Sequence, residues 1–327
     1  MRSNWGRCIV GVGLVLVIAS PAVAQTLNSA VQTSPATSSD SPRSKVRSIT
    51  DQQKQIDQAL ADEKAGDDQS ARLIWSSLAD ESVPIAETHL GQFFLKGRGG
   101  VCKDETEAAK WLFRAANQGF IDAEREVGYR YYFGQGVPKD LDKAREWLTK
   151  AANRGDAESQ QFLGDSYAMS NKVKDLNYAK AVFWYEKAGA QGRSKAAHDA
   201  GWLYKTGRGV QQNYAKAAYW YQQAASEGYG PSQFELGRLY ENGQGVTQDY
   251  VQAYKWYALA ATIGHVLGND IITSRDRVAA KMTQDQIAQA KAAVETARSK
   301  IPEQPNVVAD LAPQNKDGCS AQAGAGK

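Results

Sequence analysis

The sequence predicts an all-α protein: an α/α superhelical solenoid of tandem helix-turn-helix repeats with C-terminal capping helices. A tryptophan returns every 36 or 37 residues, alanines stand at fixed distances on both sides of it, and an Asp or Asn and a glycine bound the same segment in each copy. A fixed period of this length is typical of solenoids, in which each unit packs against its neighbours.

The first 24 residues have the layout of a cleavable secretory signal. Arg2 and Arg7 come first, residues 8–19 form an apolar run, and Ala22-Val23-Ala24 ends the segment on small residues. The run is shorter than the roughly 20 residues that a membrane-spanning helix needs. We expect cleavage after Ala24, and a periplasmic or secreted chain that does not span the membrane.

Two flanking segments lack the apolar residues that a core requires. Residues 25–48 are rich in Ser, Thr, Gln and Pro, and residues 301–327 contain several prolines and end in Ala and Gly. Such segments cannot bury enough surface to offset their conformational entropy. We expect a disordered leader and a disordered tail.

Charge and cysteine content limit the partners. Loss of the leader removes Arg2 and Arg7 and lowers the formal net charge from +3 to +1, so the sequence predicts no nucleic-acid partner. Cys102 and Cys319 would remain, and export would permit a disulfide between them. Two unpaired thiols are the alternative.

Each tryptophan lies on a helix with a small-large-small stripe. Alanine stands three residues before and four residues after it in the last five copies, and positions so spaced share one helix face. The six tryptophans are Trp75, Trp111, Trp147, Trp184, Trp220 and Trp256.

Cap residues set the limits of this helix. The residues seven before each tryptophan are expected helix N-caps: Asp68, Asp104, Asp140, Asn177, Asn213 and Asp249. The glycines eight residues after it, where a left-handed residue ends a helix, are Gly119, Gly155, Gly192, Gly228 and Gly264. A helix of about 12 residues follows.

An earlier helix in each copy carries a glycine in its middle, at Gly91, Gly128, Gly164, Gly201 and Gly237. A mid-helix glycine costs up to about 1 kcal/mol relative to alanine, so its return indicates that a neighbouring backbone comes too close for a β-carbon. A Gly-x-Gly-Val turn joins the two helices, for example at residues 134–137 and 207–210.

The ends depart from the pattern. Residues 49–83 keep Trp75 but lack the glycine-bearing helix, and they are expected to form a degenerate N-terminal repeat. Five full repeats occupy residues 84–266. Residues 267–300 are expected to form capping helices, with Thr283 and Gln286 in a capping box.

These motifs together resemble the Sel-one-like repeat (SLR) family, relatives of tetratricopeptide repeats. The resemblance rests on Leu-Gly-x-x-Tyr, Gly-x-Gly-Val, Lys-Ala, Trp-Tyr, Ala-Ala and the closing glycine, over roughly residues 84–266. It implies a right-handed superhelix that acts as a scaffold for protein assemblies. By the same resemblance, the first helices line a concave groove.

One face of the first helices changes from copy to copy, so it is not filling a repeated packing slot. Its positions are Gln92, Tyr129, Asp165, Trp202 and Arg238, and, three residues later, Leu95, Tyr132, Ala168, Lys205 and Glu241. The candidate partner contacts are Tyr129, Tyr132, Trp202, Lys205, Arg238 and Glu241, with the aromatic residues as anchors. The alternative is that this face is simply solvated.

No motif points to chemistry. His89, His198 and His265 lie in different copies without metal-ligand spacing, and the sequence has no phosphate-binding loop, Gly-x-Ser-x-Gly elbow or Ser-x-x-Lys. We therefore expect no catalytic residue, no metal and no cofactor. The sequence favours a non-enzymatic scaffold that binds a protein or peptide. The alternatives are a glycan-binding accessory of exopolysaccharide or cell-wall assembly and, remotely, a β-lactamase-like hydrolase.

Overall fold

The computed structural model of the chain describes residues 48–168, 176–263 and 268–300. In these ranges it contains fourteen α-helices, one 3-10 turn at Ala261–Ile263 and no strand, as the sequence predicts. The helices are α1 Ile49–Ala65, α2 Asp68–Asp80, α3 Pro84–Lys96, α4 Glu105–Asn117, α5 Ile121–Phe133, α6 Leu141–Asn153, α7 Ala157–Ala168, α8 Tyr178–Ala190, α9 Ser194–Thr206, α10 Tyr214–Ser226, α11 Gly230–Asn242, α12 Tyr250–Ala260, α13 Gly268–Ala279 and α14 Gln284–Arg298.

Several sequence expectations fall outside the described residues. They are the signal segment 1–24, the leader except for Ser48, the tail 301–327, and Gly264 and His265. In the part that is described, no helix is long and apolar enough to cross a lipid bilayer.

Each helix packs chiefly on the helix before it and the helix after it along the chain. The odd-numbered helices α3 to α11 are the first helices of the repeats, and the even-numbered helices α4 to α12 are the second helices. α12 contacts both α13 and α14, so the two last helices cover the final repeat. Nearest-neighbour packing of this kind is the organisation of a solenoid.

Five of the six expected N-caps are confirmed. Asp104, for example, accepts hydrogen bonds from the backbone N–H groups of Thr106 and Glu107, at 2.9 and 2.8 Å. The others that cap through their side chains are Asp140, Asn177, Asn213 and Asp249. These bonds satisfy amides that a helix start leaves without partners.

The prediction for Asp68 is wrong, because Asp67 is the cap of α2. Asp67 accepts from the N–H of Ser70 at 3.1 Å, and Asp68 is the first helical residue. The carboxylate of Asp68 instead accepts from the guanidinium of Arg98, which donates from Nε at 2.6 Å. Gly66 ends α1 in the left-handed conformation, so the helix restarts one residue earlier than the other copies suggest.

The mid-helix glycines do face a close neighbour, but its nearest atoms belong to a side chain in all five copies, and a backbone atom is among the three closest only at Gly91 and Gly128. A β-carbon on Gly201 would lie 2.8 Å from the ring of Tyr221, and one on Gly91 would lie 2.9 Å from Cγ of Leu112. The contacting residue always follows the tryptophan. The full set of contacting residues is Leu112, Leu148, Tyr185, Tyr221 and Tyr257.

These five residues are also the deepest large side chains of the second helices, with at most 1% of their surface exposed. The tryptophans are more variable than the sequence suggests. Trp75 is fully buried and Trp184, Trp220 and Trp256 are nearly so, whereas Trp111 and Trp147 are half-buried. The core of each repeat is therefore built on the residue after the tryptophan, packed into the space that the glycine leaves.

Candidate partner-binding face

The varying positions of the first helices lie on one continuous face. Side chains of successive first helices touch one another across it: Tyr129 of α5 contacts Phe162 of α7, Asp165 of α7 contacts Lys195 of α9, and Lys205 of α9 contacts Glu235 of α11. We call this surface the first-helix face. The repeat architecture thus places residues that are about 30 positions apart in sequence side by side.

Four aromatic rings form a cluster near the middle of the first-helix face. The ring centroids of Tyr129 and Phe162 are 4.4 Å apart, and Tyr132 packs edge-on against both Phe162 at 5.6 Å and Phe133 at 4.9 Å. Phe133 is 52% exposed, while its three neighbours are half-buried. An exposed phenylalanine held by other rings is a preformed apolar contact point.

A charged group lies on the next first helices. The ammonium of Lys195 donates to Asp165 at 2.9 Å and to Asp199 at 2.8 Å, and Asp165 also accepts from the hydroxyl of Tyr185 at 2.7 Å. Burial lowers the pKa of Lys195, but attraction by Asp199 and Asp165 outweighs it, so the pKa is raised and the group stays charged. Burial raises the pKa of Asp199.

Lys205 and Arg238 share one carboxylate. Lys205 donates to Glu235 at 2.5 Å, and Nη1 of Arg238 lies 3.3 Å from the other oxygen of Glu235. Trp202 is half-buried on the same face, with the guanidinium of Arg208 4.9 Å from the centre of its indole. Trp202 lies on α9, apart from Tyr129 and Tyr132 on α5, although all three were predicted as anchors.

Glu241 differs from the other candidates because its carboxylate is already fully engaged. It is 7% exposed, it accepts from the hydroxyl of Tyr257 at 2.8 Å, and Nε and Nη2 of Arg277 each donate to it at 2.8 Å. Hydrogen bonds from Arg277 hold its pKa below the usual range, although burial acts in the opposite direction. Any direct contact with a partner at this point would come from Arg277.

Depressions lie toward both ends of the face. One, of about 590 Å³, is lined by residues that include Arg238, Glu241, Thr273 and Arg277. The other, of about 360 Å³, is lined by residues that include Gln92, Leu95, Lys103 and Arg130. Four of the ten varying positions thus line an opening large enough for a side chain or a small group.

Several residues of this face were not predicted from the sequence. Phe162 and Glu235 stand two residues before the mid-helix glycine, a position that also varies between copies, so the same argument would have found them. The copies hold His89, Glu126, Phe162, Asp199 and Glu235 there. No set of three or more His, Cys, Asp or Glu with the geometry of a metal site occurs among the described residues.

The fold and this face together define a class: an α-helical repeat solenoid with an extended, chemically varied surface. The family model of the Sel1 repeat matches residues 84–120, 121–156, 157–192, 194–229 and 230–265. The chain belongs to the Sel1 repeat family. Members of this family are generally non-catalytic scaffolds that act through protein–protein interaction.

Two solved structures agree with this assignment. A protective antigen present in uropathogenic Escherichia coli strains, which displays an SLR fold, is 31% identical with a TM-score of 0.63; the match covers 76% of this chain and 52% of that protein, so this chain spans about half its length. A Sel1 repeat protein from Oxalobacter formigenes is 29% identical with a TM-score of 0.59, over 75% of this chain and 99% of the other. No curated protein sequence gives a match.

Proposed function

We propose that this chain is a non-enzymatic periplasmic or secreted scaffold whose first-helix face holds an extended segment of a protein partner. The observation that carries the proposal is the aromatic cluster around Phe133, which lies beside the charged group of Lys195. Apolar anchors with a polar surround are typical of protein interfaces, where a few aromatic and arginine residues supply most of the binding energy.

The face offers each chemical group that an extended chain needs. An apolar side chain of the partner would rest on Phe133 and Tyr132. Lys205 and Arg238 present donors that are only partly used by Glu235, and they would bind carbonyl or carboxylate oxygens. Trp202, on the same helix as Lys205, supplies a second aromatic contact. Because helical repeats hold these groups on rigid elements, little conformational entropy is lost on binding.

Location outside the cytoplasm is part of the proposal. Its support is the sequence of the first 24 residues, with Arg2 and Arg7, the apolar run and the small residues before Gln25. N-terminal sequencing of the protein from a periplasmic or culture fraction tests it directly. Recovery of the uncleaved chain in the cytoplasm would contradict it.

Site-specific crosslinking tests the binding face. A photo-crosslinking amino acid at position 133 is expected to capture a segment of one partner protein in vivo, and mass spectrometry of the product would show which segment. The matched control is the same amino acid at position 183, which replaces a phenylalanine of similar exposure on a second helix. Equal capture of the same partner from both positions, or none from position 133, would refute the proposed face.

A glycan is the second candidate ligand, favoured by the exposed ring of Phe133, because sugar rings stack on aromatic faces. Its test is binding to purified peptidoglycan or exopolysaccharide, with oligosaccharide as competitor. Binding that Phe133→Ala abolishes and that oligosaccharide displaces, without a protein crosslink, would replace the protein partner by a glycan.

A further inference from the structure

Two aromatic side chains project from the second helices at a position where the other copies differ. Phe183 of α8 is 50% exposed and Tyr219 of α10 is 57% exposed, and each immediately precedes the repeat tryptophan. The other copies hold Ile74, Lys110, Glu146 and Lys255 at this position. Exposed aromatic rings on two adjacent repeats are therefore a particular feature of these two copies, not a requirement of the fold.

Each of the two rings packs against a tryptophan of the core. Phe183 packs edge-on against Trp184 with centroids 4.9 Å apart, and Tyr219 packs in the same way against Trp220 at 5.0 Å. Both tryptophans are only 8% exposed. Contact with a nearly buried tryptophan therefore restricts the orientation of each ring, and the rest of the ring is exposed to solvent.

Lysines outnumber acidic residues on the two helices that carry the rings. Lys180, Lys187 and Lys216 are exposed, none of them forms an ion pair with a carboxylate of the described residues, and Lys216 donates to the hydroxyl of Tyr204 at 3.4 Å. Lys187 lies over the ring of Phe183 at 4.5 Å, and Lys216 over that of Tyr204 at 4.8 Å. Glu186 is the one acidic residue of α8 and α10, and it accepts from the hydroxyl of Tyr204 at 2.9 Å.

The corresponding helices of the earlier repeats are different. On α4 the ammonium of Lys110 lies 2.7 Å from Glu107, and on α6 Lys150 lies 3.6 Å from Glu146. Their charges are thus balanced locally. We call the surface of Lys180, Phe183, Lys187, Lys216 and Tyr219 the cationic aromatic ridge.

We propose that the cationic aromatic ridge docks the solenoid on an anionic lipid surface. Clustered lysines are attracted to anionic headgroups, and aromatic rings gain free energy by entering the interfacial region of a bilayer. Lysine suits this arrangement because its aliphatic chain can lie in the apolar part of the membrane interface beside the ring, while its ammonium stays among the headgroups. Two signals of this kind, charge and an apolar insertion, act together in stable membrane attachment.

An acidic protein is the competing partner for a basic surface. The geometry favours lipid because Phe183 and Tyr219 protrude, and no residue of the ridge lines either of the two depressions described above. A lipid surface needs no complementary pocket, since it deforms around an inserted ring. The proposal does not depend on what the first-helix face binds.

Vesicle sedimentation tests the proposal. The full chain is mixed with vesicles of phosphatidylcholine alone and with vesicles that also contain phosphatidylglycerol. We expect sedimentation with the anionic vesicles only, weakened by high salt because the attraction is screened. The variant Phe183→Ala/Tyr219→Ala is expected to bind about tenfold more weakly, and Lys180→Gln/Lys187→Gln/Lys216→Gln is expected to lose the dependence on anionic lipid.

The chain supplies a matched control in Phe133→Ala. Phe133 has similar exposure, 52%, but lies on the first-helix face, so its loss is expected to leave vesicle binding unchanged. All variants share the same N-terminal segment, so any contribution of its apolar run is common to them. Circular dichroism melting confirms that each variant folds.

Three outcomes would overturn the proposal. They are equal binding to neutral and anionic vesicles, equal loss of binding for the ridge and Phe133 variants, and binding to soluble polyglutamate without binding to vesicles. The last result would assign the ridge to an acidic protein partner.

Discussion

Arg277 of α13 donates two hydrogen bonds of 2.8 Å to the carboxylate of Glu241, which lies 36 residues earlier at the end of α11. Tyr257 of the intervening α12 donates a third bond to the same group. Three successive helices thus meet at one nearly buried carboxylate. This contact joins the last repeat to the helices that cover it, and it makes the attachment of the C-terminal helices sensitive to charge.

Glu241→Gln is expected to lower the free energy of unfolding at pH 7 by about 1 to 3 kcal/mol, because it removes the charge that Arg277 binds. The pKa of Glu241 is below its ordinary value of 4.5 in the folded chain. The stabilisation is therefore complete above pH 4.5 and is lost as the pH falls through the lowered folded pKa.

Chemical denaturation of the two proteins across this pH range measures the effect. The difference in unfolding free energy should shrink toward the acid end. A difference that stays constant with pH would show that shape, and not the charge of Glu241, accounts for the loss.

Gly201→Ala is expected to destabilise the chain by about 1 to 3 kcal/mol, although alanine is the better helix former. The added β-carbon would lie 2.8 Å from the buried ring of Tyr221, so one of the two helices must move. A double-mutant cycle with Tyr221→Ala isolates the cause, since the methyl group has room once the ring is gone. Additive losses in the two single variants would exclude this contact as the reason for the glycine.

The mid-helix glycines show how much of the packing can be predicted from the repeat period of the sequence. The recurrence of glycine at this position, from Gly91 to Gly237, correctly indicates that a close neighbour excludes a side chain. Glycine destabilises a helix relative to alanine, and its presence in all five copies indicates one common cause. It does not reveal which atoms approach. The partner, such as Tyr221, lies 20 residues away on the next helix, and only the crossing of the two helices brings the ring to the glycine.

The first-helix face shows a second limit on what can be predicted from the sequence. Variation between copies identifies Tyr129 and Tyr132 as candidate contact positions, yet it does not show that their rings pack against Phe162 or that Arg277 neutralises Glu241. Those contacts connect different repeats, so they depend on the stacking of units. The sequence predicted Asp68 and not Asp67 as the N-cap for a local reason. Because Gly66 ends the preceding helix, α2 begins one residue earlier than the other copies suggest, and either of the two adjacent aspartates could act as its cap.

Cys102 is part of a disulfide, and its partner lies outside the described residues. We predict that the partner is Cys319, because Cys8 falls in the segment expected to be removed on export. Peptide mapping of the exported protein without reductant should yield one linked pair that contains residues 102 and 319 and that disappears on reduction. Alkylation of Cys102 in the unreduced protein would contradict the assignment.

Acidification is expected to destabilise the fourth full repeat through His198. Burial lowers the pKa of His198 from 6.5 to about 4, and Lys195 and Lys205 act in the same direction against Glu235. Its Nδ1 lies 2.9 Å from the hydroxyl of the buried Ser232. Between these two pKa values the unfolded chain binds a proton that the folded chain does not, so stability falls as the pH falls below 6.5. The loss should reach about 2 kcal/mol near pH 4, after allowance for solvent screening.

The variant His198→Gln keeps a hydrogen-bonding group that does not titrate in this range. Its unfolding free energy should therefore change less between pH 7 and pH 5 than that of the parent. Identical pH profiles for the two proteins would mean that His198 is protonated in the folded chain at little cost.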